Sequence, residues 1–193
     1  MFLPVVAYGS PILRKVCGDI TADYEGLSKL IEDMWETMYA SIGVGLAAPQ
    51  INRSIRLFVV DTTIIFDDMD AKEQSEHVDA PGIKQVFINA QIVSLEGEPW
   101  AYEEGCLSIP KIRGDVYREE TVTMSYLNEN FEPQQKTFSG ITARVILHEY
   151  DHIEGKLFID HLKPLKRKML QGKLDDISKG KVRVGYKMMF EKR

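Results

Sequence analysis

The sequence contains little cysteine and no long apolar run. Two cysteines, Cys17 and Cys106, in a chain of 193 residues exclude a scaffold of several disulfides and favour a reducing, cytoplasmic location. No apolar stretch approaches the roughly 18 residues that a membrane helix needs, so no membrane partner is expected. Because no cationic leader precedes an apolar segment near the start, no secretory signal is expected either. A single globular domain over residues 1–193 is the expectation that remains.

Charge is unevenly distributed along the chain. The net charge is −5, yet residues 156–193 hold 12 Lys and Arg against 4 Asp and Glu, a local balance of +8 that leaves −13 for the rest. A basic end on an acidic body can contact a polyanion such as RNA. A solvated helix face is the simpler interpretation and the favoured one, and no DNA partner is expected.

Apolar spacing predicts helices on both sides of a strand-rich middle, and therefore the α+β class. Helices are predicted over 24–41, 140–154 and 163–177, with a short one beginning at Ser10-Pro11. Strands are predicted over 55–61, 84–89, 98–104, 117–127 and 134–139, with a hairpin loop over 128–133. Alternating apolar residues between Val182 and Phe190 predict a C-terminal strand. The acidic segment 66–82 is predicted to be an exposed loop.

The strongest chemical signal is the segment His148-Glu-Tyr-Asp-His152. Residues four apart lie on one face of a helix, so both imidazoles can bind one metal ion. A carboxylate between them can act as general base towards water. Glu149 and Asp151 lie about 80° on either side of the histidine axis, so helical geometry does not choose between them. The H-E-x-x-H pattern and the longer side chain favour Glu149, although this pattern also occurs by chance on ordinary helices.

A catalytic metal site usually has three protein ligands, and the third must come from elsewhere in the chain. Phe158 stands where the H-E-x-x-H-x-x-G-x-x-H pattern requires a histidine, which excludes that protease class. Asp175 and Glu191 remain open as ligands, but no motif surrounds them. Cys106 is the better candidate, because a bound metal would hold its sulfur as the thiolate. Lone cysteines are more often small buried hydrophobes, the interpretation given to Cys17.

Three segments together resemble the peptide deformylase family. They are Gly43-Val-Gly-Leu-Ala-Ala-Pro-Gln50, Glu104-Gly-Cys-Leu-Ser108 and His148-Glu-Tyr-Asp-His152, in the order in which that family carries them. The first segment alone indicates only a helix cap and a tight turn. The resemblance covers nearly the whole chain. It implies mixed or antiparallel sheets packed around a central metal-binding helix, with a C-terminal helix and a terminal strand.

The resemblance also implies an activity. It is the metal-dependent removal of the N-formyl group from the initiator methionine of nascent polypeptides, with release of formate. Two other functions stay open. An H-E-x-x-H zinc endopeptidase would need its third ligand after His152, and a non-catalytic binder of polypeptide N-termini would lack turnover. A redox protein is excluded, because no second cysteine stands near Cys106.

By resemblance, Cys106, His148 and His152 hold one divalent metal ion. Fe²⁺ is the ion expected in the cell, with Zn²⁺, Ni²⁺ and Co²⁺ as alternatives. Glu149 would transfer the proton, and the Gln50 side chain and the Leu107 backbone N–H would stabilise the oxyanion. The residues expected to bind substrate are Val44, Gly45, Gly105, Arg113, Ile141 and Val145. An ion pair between Glu104 and Arg118 is expected to support the site.

Three features depart from the family pattern. Leu147 stands where many relatives have Gln, and the segment 66–82 looks like an insertion relative to compact bacterial members. The C-terminal strand resembles a subgroup whose tail returns to the sheet, which removes the basis for transferring a ribosome contact made by a long C-terminal helix. The +8 charge of residues 156–193 keeps a ribosomal RNA contact open as a hypothesis.

Overall fold

The computed structural model describes residues 2–67 and 69–191. The helices are α1 (Leu27–Ala40), α2 (Thr63–Phe66), α3 (Ala71–Ser75), α4 (Gly140–Ile153) and α5 (Pro164–Ser178). The strands are β1 (Val5–Val6), β2 (Gly45–Ala47), β3 (Leu57–Asp61), β4 (Lys84–Glu96), β5 (Trp100–Cys106), β6 (Ile109–Arg118), β7 (Thr121–Leu127), β8 (Pro133–Ser139) and β9 (Met188–Met189). Across the described ranges, no helix is both long and apolar enough to cross a bilayer.

The main sheet is antiparallel and has apolar side chains on both faces of its central strands. Its strand order is β2-β3-β4-β7-β8. Phe58 and Val60 of β3 point into the cluster that contains α4. Leu57 and Val59, which alternate with them, point into the cluster that contains α1. Because successive side chains of a strand point to opposite faces, the apolar run of β3 supplies core residues on both faces of the sheet. The sheet therefore lies between α1 and α4.

Helix α4 begins directly after β8, and residues of the segment before β4 hold its first turn. Gly140 has φ +59°, and a Cβ there would lie 2.6 Å from the Asp79 carboxylate. That carboxylate accepts the Thr142 backbone N–H at 2.7 Å, so it satisfies one of the free donors of the helix start. The Thr142 hydroxyl lies 3.0 Å from the hydroxyl of Thr62. These contacts orient the helix that carries both histidines.

A separate hairpin, β5–β6, carries the cysteine. Its pairs run from Trp100↔Arg118 to Gly105↔Arg113, and the register shifts at Cys106. Ile112 and Val116 on the inner side of β6 share a cluster with residues of α5. The closed end of the hairpin, with Cys106, therefore lies against α4.

Most of the predicted elements are confirmed, and the fold class is α+β as predicted. The three longer helices begin and end within three residues of their predicted bounds, and the Ser10-Pro11 signal marks a 3₁₀ turn at Pro11–Arg14. β7 and β8 form the predicted hairpin around 128–133. The predicted strand over 117–127 is wrong, because the chain turns between Arg118 and Thr121 and divides it between β6 and β7. Most of β6 was not predicted, since Pro110 and Gly114 are residues that strands usually avoid.

Two further corrections concern predicted irregular and terminal segments. The segment 66–82 is not simply an exposed loop: α2 and α3 occupy parts of it, and the Phe66 side chain is fully buried. Asp70 caps α3 by accepting two backbone N–H groups, a signal visible in the sequence. In the C-terminal segment the predicted alternation of burial is present, but ladder pairing is limited to Met188–Met189.

We expect Phe87→Ala to lower the free energy of unfolding by about 3–5 kcal/mol, because it opens a cavity in the largest core cluster. The centroid of the Phe87 ring lies 4.7 Å from the ring centroid of Phe58 and 4.5 Å from that of Tyr126. Urea unfolding followed by tryptophan fluorescence measures the change. Val93→Ala, at a side chain that is 53% exposed on the same strand, is the control and should shift stability by less than about 0.5 kcal/mol. Equal effects of the two variants would contradict the packing described here.

Candidate metal centre

Three potential ligands from two elements converge at one point. α4 places His148 and His152 one turn apart, with ring centroids 5.1 Å from each other. Cys106 enters from the end of β5, and its Sγ lies 3.2 Å from His152 Nε2. One ligand atom from each of the three residues lies within 4.8 Å of the others. Two ligands of a tetrahedral ion, each about 2.0–2.3 Å from it, are separated by about 3.5 Å, so the arrangement fits a single metal ion.

The charge of the cysteine also suits a metal. Burial raises the pKa of the Cys106 thiol. The neighbouring His152 and His148 rings lower this pKa by more than burial raises it, so that it is about 5. The thiolate is the form that binds metals. His152 Nδ1 is buried without a hydrogen-bond partner among the described residues, whereas Nε2 faces the sulfur.

A buried carboxylate fixes the first histidine. Glu104 Oε2 lies 2.9 Å from His148 Nδ1, which leaves Nε2 directed towards the ligand cluster. Arg118 donates to both oxygens of Glu104, at 2.7 and 3.1 Å, which confirms the predicted ion pair. Arg144 adds a third donor at 3.2 Å. Burial raises the pKa of the Glu104 carboxyl, but His148 and Arg118 outweigh this and hold it well below its usual range.

The same network separates the two acids of the HEYDH segment. Asp151 accepts from Arg118 at 2.7 Å and lies 2.8 Å from His161 Nε2. Its carboxylate is therefore engaged by these two side chains. Glu149 has a buried oxygen, Oε2, with no hydrogen-bond partner in the described part of the chain. The structure thus distinguishes two carboxylates that helical geometry left equivalent.

Glu149 lies in a tight, buried position. Burial raises the pKa of its carboxyl to about 7. A Cβ on Gly45 would lie 2.5 Å from Glu149 Oε1, so only glycine at position 45 leaves room for this carboxylate. A carboxyl group with a pKa near neutrality can both accept and return a proton.

Gln50 is held so that its amide nitrogen faces the cysteine. Its Oε1 accepts the Ala47 N–H at 2.8 Å, which fixes the orientation of the amide. Nε2 then points to Cys106 Sγ at 3.5 Å and Ser108 Oγ at 3.4 Å. Gln50 is almost fully buried, so a substrate oxygen at this point would meet a preorganised donor.

A cleft of about 870 Å³ opens above the ligand cluster. Its lining includes the proposed general base and donors, Glu149, Gln50 and Leu107, with the ligands Cys106 and His148. The residues predicted to bind substrate all line it as well, namely Val44, Gly45, Gly105, Arg113, Ile141 and Val145. The tertiary structure therefore brings together three segments that are far apart in the sequence.

Comparisons with known proteins agree with this geometry. The polypeptide deformylase family model matches residues 2–168. This chain belongs to that family. It is 53% identical to a peptide deformylase of Flavobacterium johnsoniae over 98% of this chain and 96% of that relative. A peptide deformylase of Christiangramia forsetii is 50% identical over the same shares of the two chains.

Solved structures of the deformylase family share the fold. The crystal structure of a peptide deformylase from Legionella pneumophila superposes with a TM-score of 0.78 at 38% identity. It covers 95% of this chain and 99% of that one. A Plasmodium falciparum peptide deformylase in complex with an inhibitor gives a TM-score of 0.74 at 33% identity, over 90% of this chain and 97% of that one.

Several residues of this deformylase-family cleft were not predicted. Val184, Gly185 and Tyr186 of the C-terminal segment line it, and so does Ile65 of α2. Neither segment carries a motif, so the sequence held no signal for their place. Asp175 and Glu191 form no ligand cluster, since Cys106, His148 and His152 are the only such group within 2–67 and 69–191. Cys17 is buried in the main core, as predicted, and burial raises the pKa of its thiol.

We expect Cys106→Ala to weaken divalent metal binding by more than about 100-fold, because losing even an outer-shell partner costs 10- to 100-fold. Equilibrium dialysis with Co²⁺ and elemental analysis measure the stoichiometry, expected to be one ion per chain. Cys17→Ala removes the other thiol, which lies outside the cluster, and should leave binding intact. Unchanged Co²⁺ affinity in Cys106→Ala would rule out the cysteine as a ligand.

Proposed function

We propose that residues 1–193 form one catalytic domain that removes the N-formyl group from the initiator methionine of nascent polypeptides and releases formate. The observation that carries this proposal is the placement of Glu149 beside the Cys106, His148 and His152 cluster, in a cleft that Cys106 and His148 also line. One carboxylate oxygen of Glu149 has no hydrogen-bond partner among the described residues. Family membership supports the same reaction. A cytoplasmic location follows, because nascent chains are made there.

We further propose that Cys106, His148 and His152 hold one divalent ion. One thiolate and two imidazoles suit Fe²⁺, Zn²⁺, Ni²⁺ or Co²⁺, and Fe²⁺ is our proposal for the ion in the cell. When bound, the ion supplies Lewis-acid polarisation of the formyl carbonyl and lowers the pKa of water. Glu104 supports the ion indirectly, since it holds His148 in the required tautomer.

In this proposal the protein residues handle the proton and the developing charge. Glu149 accepts a proton from the attacking water and returns it to the departing amine. Gln50 Nε2 and the Leu107 N–H donate to the oxygen of the formyl group as it becomes negative. The Ala47 N–H fixes the Gln50 amide before substrate arrives, so no reorganisation is needed in the transition state.

The cleft walls suggest how the peptide is aligned. Gly45 of β2 and Gly105 of β5 both line the cleft, so an extended peptide can align along their backbone as an added strand. Val44, Ile141 and Val145 provide apolar surface for the methionine side chain. Arg113, whose side chain is 66% exposed beside Glu103, is placed to contact the peptide backbone.

We expect Glu149→Gln to lower kcat for formate release from formyl-Met-Ala-Ser by about 10²- to 10⁴-fold, because the amide cannot accept the proton. The assay uses protein purified without oxygen and loaded with Fe²⁺, Ni²⁺ or Co²⁺. Glu98→Gln removes an exposed carboxylate outside the cleft and is the matched control.

The same assay separates the rival functions. A zinc endopeptidase would cleave internal peptide bonds, and Cys106→Ala would leave it active. A binder of polypeptide N-termini would retain formyl-Met-Ala-Ser without releasing formate. Absence of formate from the loaded wild-type protein with all three ions would refute the deformylase proposal.

We also propose a ribosome contact through the basic end of the chain. In α5 and the residue before it, exposed cations cluster at Lys163, Lys166, Arg167 and Lys168. Such a cluster can neutralise the phosphates of ribosomal RNA, and binding of this kind weakens as salt rises.

We expect the triple variant Lys166→Glu, Arg167→Glu, Lys168→Glu to lose co-sedimentation with ribosomes at low salt, because it replaces attraction to phosphate with repulsion. Lys136→Glu, at an exposed cation on β8, should co-sediment like the wild type. Co-sedimentation of the wild type that does not change with salt would contradict the contact.

A further inference from the structure

The turn between β5 and β6 carries two groups of the site. Cys106 ends β5, and Leu107, whose N–H is the proposed oxyanion donor, follows it. The backbone carbonyls of Leu107 and Ser108 both accept hydrogen bonds from residues outside the hairpin. The Tyr186 hydroxyl donates to the Leu107 carbonyl at 2.7 Å, and the Tyr8 backbone N–H donates to the Ser108 carbonyl at 2.8 Å.

Both donors come from segments that pair with each other. β1 and β9 form a parallel pair in which Val5 lies opposite Met188. The Val5 N–H donates to the Lys187 carbonyl at 2.9 Å, and the Ala7 N–H donates to the Met189 carbonyl at 2.8 Å. Tyr8 follows the residues of the first segment that pair with β9, and Tyr186 precedes the residues of the second segment that pair with β1. This pairing fixes the position of the Tyr186 hydroxyl relative to the turn.

The surroundings of Tyr186 suit a permanent hydrogen-bond donor. Its side chain lines the cleft next to Gly185 and is partly buried. Burial, with a smaller contribution from Cys106, raises the pKa of Tyr186 to about 12, so the hydroxyl stays protonated over the working range of pH. The hydroxyl is directed at a backbone carbonyl, which a phenylalanine could not engage.

We propose that Tyr186 is a positioning residue: its hydroxyl holds the Leu107 carbonyl and so keeps the Leu107 N–H and the Cys106 sulfur in the orientation that the site requires. This inference rests on the proposed deformylase function. It gives the C-terminal segment a role in catalysis, because an oxyanion donor is effective only if it is oriented before the charge develops.

Tyr186→Phe tests the inference, with Tyr117→Phe on β6, at a side chain that is 62% exposed, as the matched control. For formyl-Met-Ala-Ser hydrolysis we expect kcat to fall about three- to tenfold with KM within about twofold, which is the rate effect of losing one hydrogen bond. Amide hydrogen exchange of the metal-free protein should accelerate in residues 106–109 and stay unchanged in the main sheet. The control should match the wild type in both measurements.

Three results would overturn the proposal. If both kcat and the amide exchange of residues 106–109 were unchanged, the Tyr186 hydroxyl would not restrain the turn or contribute to catalysis. A rise in KM alone would make Tyr186 a substrate contact. Faster exchange throughout the chain, with a lower Tm, would make it a purely structural residue. If the wild type releases no formate, the proposed function fails, whereas the exchange measurement still tests the restraint on the turn.

Discussion

The site depends on one buried carboxylate, that of Glu104. It contacts Arg118, Arg144 and His148, which come from β6 and α4, while Glu104 itself lies on β5. A buried carboxylate without partners is costly, and the contacts with His148 and Arg118 lower the pKa of Glu104 so that it stays charged. Because the same carboxylate contacts His148 Nδ1, the interaction that joins the hairpin to α4 also orients this histidine for its proposed role as a ligand. Stability and ligand geometry are thus linked through a single side chain.

The division of labour between the acids of α4 follows from this network. Asp151 continues the chain of contacts from Arg118 towards His161 and serves the structure. Glu149, the residue after His148, lines the cleft and has one carboxylate oxygen without a hydrogen-bond partner among the residues that the structure describes. Gly45 leaves the space that its carboxylate occupies. We therefore propose proton transfer for Glu149, because burial makes its charged form costly and raises the pKa of its carboxyl to about 7.

Much of the fold and of the site could be predicted from local pattern. The helices at α1, α4 and α5 repeat their apolar residues with a helical period, and the H-E-x-x-H spacing placed two ligands on one face. β6 could not be predicted in full, because Pro110 and Gly114 are residues that strands usually avoid, whereas pairing with β5 holds the strand in the ladder. Ile65 and Tyr186 line the cleft without any motif, since their place depends on residues far along the chain.

The sequence alone predicted the α+β class, the two histidines on one helix, the candidate cysteine and the family. Each of these depends on the period or the spacing of residues that are close in the chain. Tertiary contacts alone gave Asp151 its partners Arg118 and His161 while Glu149 lines the cleft, brought the Cys106 sulfur to 3.2 Å from His152 Nε2, and placed the C-terminal segment beside Leu107. Local pattern could not decide these points, because each depends on which charged or hydrogen-bonding partner a distant strand delivers to the same place.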